Sequence, residues 1–239
     1  MRNPRASFAS WASAIGLSLS GAATVRSLVV DANDGIIATA GIVEGFAGAG
    51  ATRSTILIAA FSAMVAGGIA LAGAKYAEEA ADRDAQLALI EEERQQLARA
   101  PEEEIAELVA LYEAKGLSPH LAREVATELT AGDPLAAHID AEHGLSLVAG
   151  PPAPLVSAVA GGLAFAVGSG IPLLTVVLAP DTWRIAVTFV AVIASLAVTS
   201  VIVAKADRTQ VAPTLVRTVL VGVAAMLLTL VGGSLFAPG

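Results

Sequence analysis

The chain has 239 residues, of which 55% are hydrophobic and only 15% charged, with a formal net charge of −8. A soluble domain of this length would carry about a quarter charged residues, so a purely soluble globular protein is excluded. The acidic balance argues against nucleic acid as a partner, and the absence of cysteine excludes disulfides and thiolate metal sites.

In residues 1–24, Arg2 and Arg5 precede a mildly apolar, serine-rich stretch in which Phe8, Trp11, Ile15 and Leu19 recur at helical spacing. A cleaved signal peptide shares that outline. The lack of a strong leucine run favours a short amphipathic helix on the cytoplasmic face of a membrane.

Five apolar blocks follow, near 27–50, 54–76, 153–178, 183–204 and 212–236. Each is long enough for the about 20 helical residues that cross ~30 Å of hydrocarbon. The sequence predicts an all-α, polytopic membrane protein with five transmembrane helices, two within 25–76 and three within 147–239. Gly41 with Gly45, and Gly67, Gly68, Ala72 and Gly73, are small residues spaced for close helix packing, within the chain or across a dimer contact. Arg2, Arg5 and Arg26 on one side, joined by Lys205, Arg208 and Arg217, outnumber Arg53 and Arg184 on the other. Positive charge collects on cytoplasmic loops. The N-terminus, the segment between spans two and three, and the 205–211 loop therefore face the cytoplasm, and the C-terminus faces away.

The segment 77–146 between the second and third spans holds 17 of the 22 acidic residues against 5 of the 14 basic ones, a net of −12. It reads as a cytoplasmic helical insert. Residues 77–100 continue span two as a helix with Leu87, Ile90 and Leu97 on one side. Pro101 opens the next helix, with Glu102, Glu103 and Glu104 in its first turn and Ile105, Leu108, Val109 and Tyr112 as its apolar stripe. Ser118-Pro119 caps a third helix carrying Leu121, Val125 and Leu129, and Asp133-Pro134 caps a fourth that runs to Gly144.

The fourth helix is anomalous. Leu135, His138, Ile139 and Glu142 follow i, i+3, i+4, i+7, so a histidine and a glutamate occupy the face that should be buried. A buried carboxylate needs a partner such as a cation. Glu104 and Glu107 lie three residues apart at the edge of their own stripe, and Glu93 lies one turn before Leu97. Converging between helices, these carboxylates and one imidazole would hold a divalent cation such as Fe²⁺, Mn²⁺ or Zn²⁺; on separate faces they are solvated glutamates. Within the spans, Asp31, Asp34 and Glu44 mark a possible ion path, unless Asp31 or Glu44 pairs with Lys75 or faces an aqueous vestibule. Asp34 sits in Asn33-Asp34-Gly35, which favours a local irregularity. No nucleophile motif, phosphate loop or glutamate-x-x-histidine pair is present, so neither an enzyme nor a tightly bound cofactor is expected.

Span one with Asp31-Ala-Asn-Asp-Gly-Ile-Ile-Ala-Thr-Ala, and the stretch Ala66-Gly-Gly-Ile-Ala-Leu-Ala-Gly-Ala-Lys-Tyr followed by Asp82-Arg83-Asp84, resemble the vacuolar iron transporter family. So does the insert from Glu93 through Pro101, Glu104, Glu107, Tyr112 and Gly116-Leu117 to Glu142-His-Gly-Leu145. The resemblance implies a homodimer of five-span subunits in a lipid bilayer, exporting cytosolic Fe²⁺ or another divalent metal in exchange for protons. It implies that Glu93, Glu104, Glu107 and Glu142 are insert ligands, with His138 in place of a methionine, and that Asp34 is the path aspartate. The chain departs from the family at Gln96, Ile139, Ser27, Leu71, Ala63 and Lys75. These changes remove a soft ligand and acids from the transmembrane route, and leave open a membrane-anchored metal sensor or scaffold that has lost transport.

Overall fold

The computed structural model describes residues 21–144 and 153–237; the amphipathic helix expected over 1–24 lies almost wholly outside them. The described residues form helices α1 (Ala22–Gly48), α2 (Arg53–Arg99), α3 (Pro101–Ala114), α4 (Pro119–Gly132), α5 (Pro134–His143), α6 (Ala153–Leu178), α7 (Arg184–Ala206) and α8 (Val211–Ser234), with no strand among them. They divide into two compact units, one from residues up to Ala77 and from Pro152 onward, the other from Glu78 to Pro151.

In the first unit, four segments are long and apolar enough to cross a membrane: α2, Pro154–Leu178 of α6, α7 and α8. The first expected span, α1, falls short of that measure. Arg26, Asp31, Asp34 and Glu44 are spread along it, so any stretch long enough to span carries several charges. Yet α1 is the helix against which α6, α7 and α8 all pack. Ile36 and Ala40 of α1 form one core with Val192 and Leu196 of α7 and Met226 of α8. Val43 forms another with Ile56 and Ala60 of α2 and Val176 of α6.

The Asn33-Asp34-Gly35 sequence produces no irregularity; α1 runs through it unbroken. Gly35 serves packing instead, because a Cβ there would collide with the backbone carbonyl oxygen of Phe165 on α6. Small residues thus substitute for the hydrophobic driving force that helices in lipid lack.

Ion pairs mark the two ends of this unit. Arg26 of α1 meets Asp207 after α7 at 3.5 Å. At the opposite helix ends, Arg53 of α2 pairs with Asp181 at 2.9 Å and donates to the carbonyls of Val177 and Ala179. Those carbonyls are among the ones a helix C-terminus leaves without intrahelical donors.

The second unit is built from local signals. Ser118 accepts a hydrogen bond from the Leu121 N–H, and Asp133 accepts one from Ala136, each next to a proline in the first turn. Gly116 and Gly144 adopt positive φ, 101° and 63°, as helix ends require. Leu108 and Val109 of α3 pack with Ala122 and Ala126 of α4. This shifts the expected α4 stripe: Leu121 and Leu129 are exposed while the alanines are buried. Alanine at the contact lets α4 approach α3 closely, which leucine would prevent.

Candidate metal centre

Three helices of the second unit bring four donors together. Glu93 comes from α2, Glu104 from the first turn of α3, and His138 and Glu142 from one face of α5, and one ligand atom from each lies within 4.8 Å of all the others. His138 is the hub. Its Nδ1 is 3.1 Å from a Glu142 carboxylate oxygen, 3.4 Å from one of Glu93 and 3.9 Å from one of Glu104. His138 is fully buried, Glu93 and Glu104 nearly so, and Glu142 is partly exposed.

The sequence folds this way because α3 starts immediately after α2. Ala100 leaves the helix and Pro101 occupies the first turn of the next, which brings Glu104 beside Glu93. The i, i+4 spacing on α5 then aims His138 and Glu142 in the same direction. Buried Ile139 anchors that face.

Three carboxylates around one imidazole are under-compensated. Burial pushes the Glu93 carboxyl above the usual range, and the Glu142 and Glu104 carboxylates push it further against the pull of His138. Glu104 is raised as well, first by burial and then by Glu107. One Glu93 oxygen and His138 Nε2 have no hydrogen-bond partner. A cation seated among the carboxylates would relieve their mutual repulsion and the stranded Glu93 oxygen. The donor set, carboxylate oxygens plus one imidazole and no sulfur, fits first-row divalent ions such as Fe²⁺, Mn²⁺ and Zn²⁺.

The other expected residues are placed differently. Glu107 is exposed on α3 and acts on the cluster through its charge on Glu104, outside the group of four. In the first unit, Asp31 is buried and held by Lys75 at 2.8 Å, and Lys75 also donates to Ser27 at 2.7 Å. That is the pairing left open as an alternative to an ion path. Asp34 is exposed on α1, in line with Arg26, Val30 and Ala38. Glu44 is fully buried. Sequence reasoning used Arg184 only as a topological charge, whereas its side chain is buried and bonded to Asp181 at 2.9 Å. The acid three residues earlier was the available signal.

The chain matches the VIT family over residues 25–234. It is 37% identical over 113 residues to a protein of Acanthamoeba castellanii named vacuolar iron transporter, a match covering 47% of this chain and 40% of that one. It is 27% identical over 96 residues to vacuolar iron transporter 1 of Arabidopsis thaliana, covering 40% and 38%. The Eucalyptus grandis protein of the same name is 26% identical over 96 residues, covering 40% and 39%. The matched stretch thus spans about two fifths of the length of each of these relatives.

Proposed function

The chain belongs to the VIT family, and on that premise we propose that it is a membrane transporter that moves a divalent metal ion, Fe²⁺ foremost with Mn²⁺ or Zn²⁺ as alternatives, out of the cytoplasm in exchange for protons. The observation that carries the reading is the buried Glu93, Glu104, His138 and Glu142 cluster in a chain whose other unit is built of membrane-length helices. In this reading the insert is cytoplasmic and collects the ion. A buried site with three carboxylates needs a cation, and the relatives are named for iron transport.

α1 is the fifth span. It sits among helices that are themselves membrane-length, and its inward acids are sheltered by the protein rather than by lipid. In this orientation the Arg26–Asp207 pair lies at the cytoplasmic end of the bundle and the Arg53–Asp181 pair at the other. Asp34 lies on the exposed strip of α1 with Val30 and Ala38. An aspartate facing hydrocarbon is costly, so this strip is covered by the same strip of a second copy, and Asp34 lines a metal path between two subunits.

The Lys75–Asp31 pair favours a second reading. A lysine ammonium occupying an acid near the start of that route is what a membrane-anchored sensor that no longer transports would tolerate. Uptake of Mn²⁺ and Fe²⁺ into proteoliposomes, with and without a pH gradient, separates the two. Flux above empty vesicles supports the transporter; binding without flux under either gradient supports the sensor.

A further inference from the structure

Resting on the transport reading, we propose that Glu44 is the group that carries the exchanged proton, so that metal and proton use different faces of α1.

The three acids of α1 have three environments. Asp34 is on the exposed strip, and Asp31 is neutralised by Lys75. Glu44 has 0% exposure, and neither of its carboxylate oxygens has a hydrogen-bond partner. An ionised carboxylate left in that state is far more costly than the neutral acid, so the group is built to hold a proton and to release it only when its surroundings change.

The neighbourhood of Glu44 suits a proton and excludes a metal ion. A divalent cation needs several oxygen or nitrogen ligands. Among the described residues, the group of acids and histidine placed to share an ion does not include Glu44. The charge acting on Glu44 is positive, the guanidinium of Arg184, which would repel a second cation. Arg184 is not its ion-pair partner: it is bonded to Asp181, and its Nε is buried without a partner. Among the described residues, the remaining charges near this end are Asp181 itself, in the turn between α6 and α7, and Arg53 of α2, also bonded to Asp181. α6 carries no titratable side chain, and the only one on α8 is Arg217, far along the helix from the Thr229–Gly233 stretch that packs against Gly41, Gly45 and Gly48.

Buried hydroxyls lie on the same helices. Thr175 of α6 and Thr188 of α7 share a 2.7 Å hydrogen bond, Thr188 donates to the Arg184 carbonyl, and the buried Thr39 hydroxyl on α1 has no partner. In the exchange, the Glu44 carboxyl takes up a proton from the side where Asp181 and Arg184 lie and gives it up toward the cytoplasmic side. It returns to the carboxylate as metal moves the other way.

The test uses the full-length protein in liposomes with Mn²⁺ as the metal and an entrapped pH-sensitive dye. Glu44→Gln is expected to lose Mn²⁺-driven proton movement while retaining measurable Mn²⁺-for-Mn²⁺ exchange, which needs no net proton. Asp34→Asn is expected to lose both. Proton movement that survives in Glu44→Gln overturns the proposal, and so does loss of the metal exchange, which would make Glu44 part of the metal route or of the fold. Glu44→Asp, which keeps the acid, is expected to restore proton movement; failure to do so counts against the role. Infrared spectra give a reading independent of flux: the carbonyl-stretch band of an un-ionised carboxyl should be present in the unsubstituted protein at neutral pH and missing from Glu44→Gln. Its absence overturns the proposal. A protein that shows the band and moves no metal instead refutes the transport reading and the coupling with it.

Discussion

The cluster in the insert makes a quantitative prediction for Glu104→Gln. Glutamine keeps the volume and one acceptor oxygen but removes one of three anionic donors; losing even a group that supports a metal ligand costs up to about 100-fold, so Mn²⁺ binding should weaken by about 100-fold. At a Mn²⁺ concentration about 100 times the parent's Kd, binding stabilises the folded insert by about 2.7 kcal/mol; in the variant the same concentration is about equal to Kd and contributes only about 0.4 kcal/mol. Hydrogen exchange on the full-length protein reads this directly, because the amides of α3 and α5 exchange through local opening. Mn²⁺ should slow them about 100-fold in the parent and about twofold in the variant. Without metal the sign reverses. The folded insert holds the Glu104 carboxyl above its ordinary value of 4.5, so the unfolded chain ionises first, and stability is lost as pH rises from that value through the raised one. The variant escapes this loss, so at neutral pH its metal-free amides should exchange more slowly than the parent's. Equal protection by Mn²⁺ in both proteins, or faster exchange in the metal-free variant, would refute the assignment of Glu104 to a cation site.

Three further outcomes are expected. Mn²⁺ affinity should fall as pH is lowered, beginning above the range of ordinary glutamates because Glu93 and Glu104 take up protons early; calorimetry across pH that shows no change would contradict the ligand set. Asp34→Asn should abolish metal flux while leaving Mn²⁺ affinity at the insert unchanged, and normal flux in liposomes would move the path away from Asp34. Lys75→Met should destabilise the first unit by about 3–5 kcal/mol, the cost of stranding one partner of a buried pair, and adding Asp31→Asn should restore most of it. A thermal unfolding midpoint unchanged by Lys75→Met would show that the Asp31 pair contributes nothing.

The insert was legible because polarity there contrasts with its surroundings. His138 and Glu142 interrupt an apolar stripe, and a polar group at a core position announces a partner; the structure brings both to Glu93 and Glu104. Glu107 obeyed the same arithmetic on sequence and yet lies outside, because a position at the edge of a stripe is decided by a few degrees of helix rotation that spacing does not record. The α4 stripe was misplaced for a related reason. Hydrophobicity ranks leucine above alanine, but the contact with α3 is close enough to require Ala122 and Ala126.

In the membrane-length helices the contrast disappears. Nearly every face is apolar, and lipid is as apolar as a leucine core, so hydropathy alone cannot tell which side of α1 faces protein. Hydropathy therefore does not separate Asp31, Asp34 and Glu44, although one is paired, one exposed and one buried without a partner. What separates them is close packing. Gly35 sets the distance to Phe165 on α6, and Gly41 and Gly45 set the contact with Thr229 on α8. Once those faces are turned inward, the strip through Asp34 is the one left open. The small residues thus decide which acid is left exposed and which is sealed inside. A glycine-to-leucine change at Gly35 would be expected to disturb the roles of all three acids at once while altering no charge.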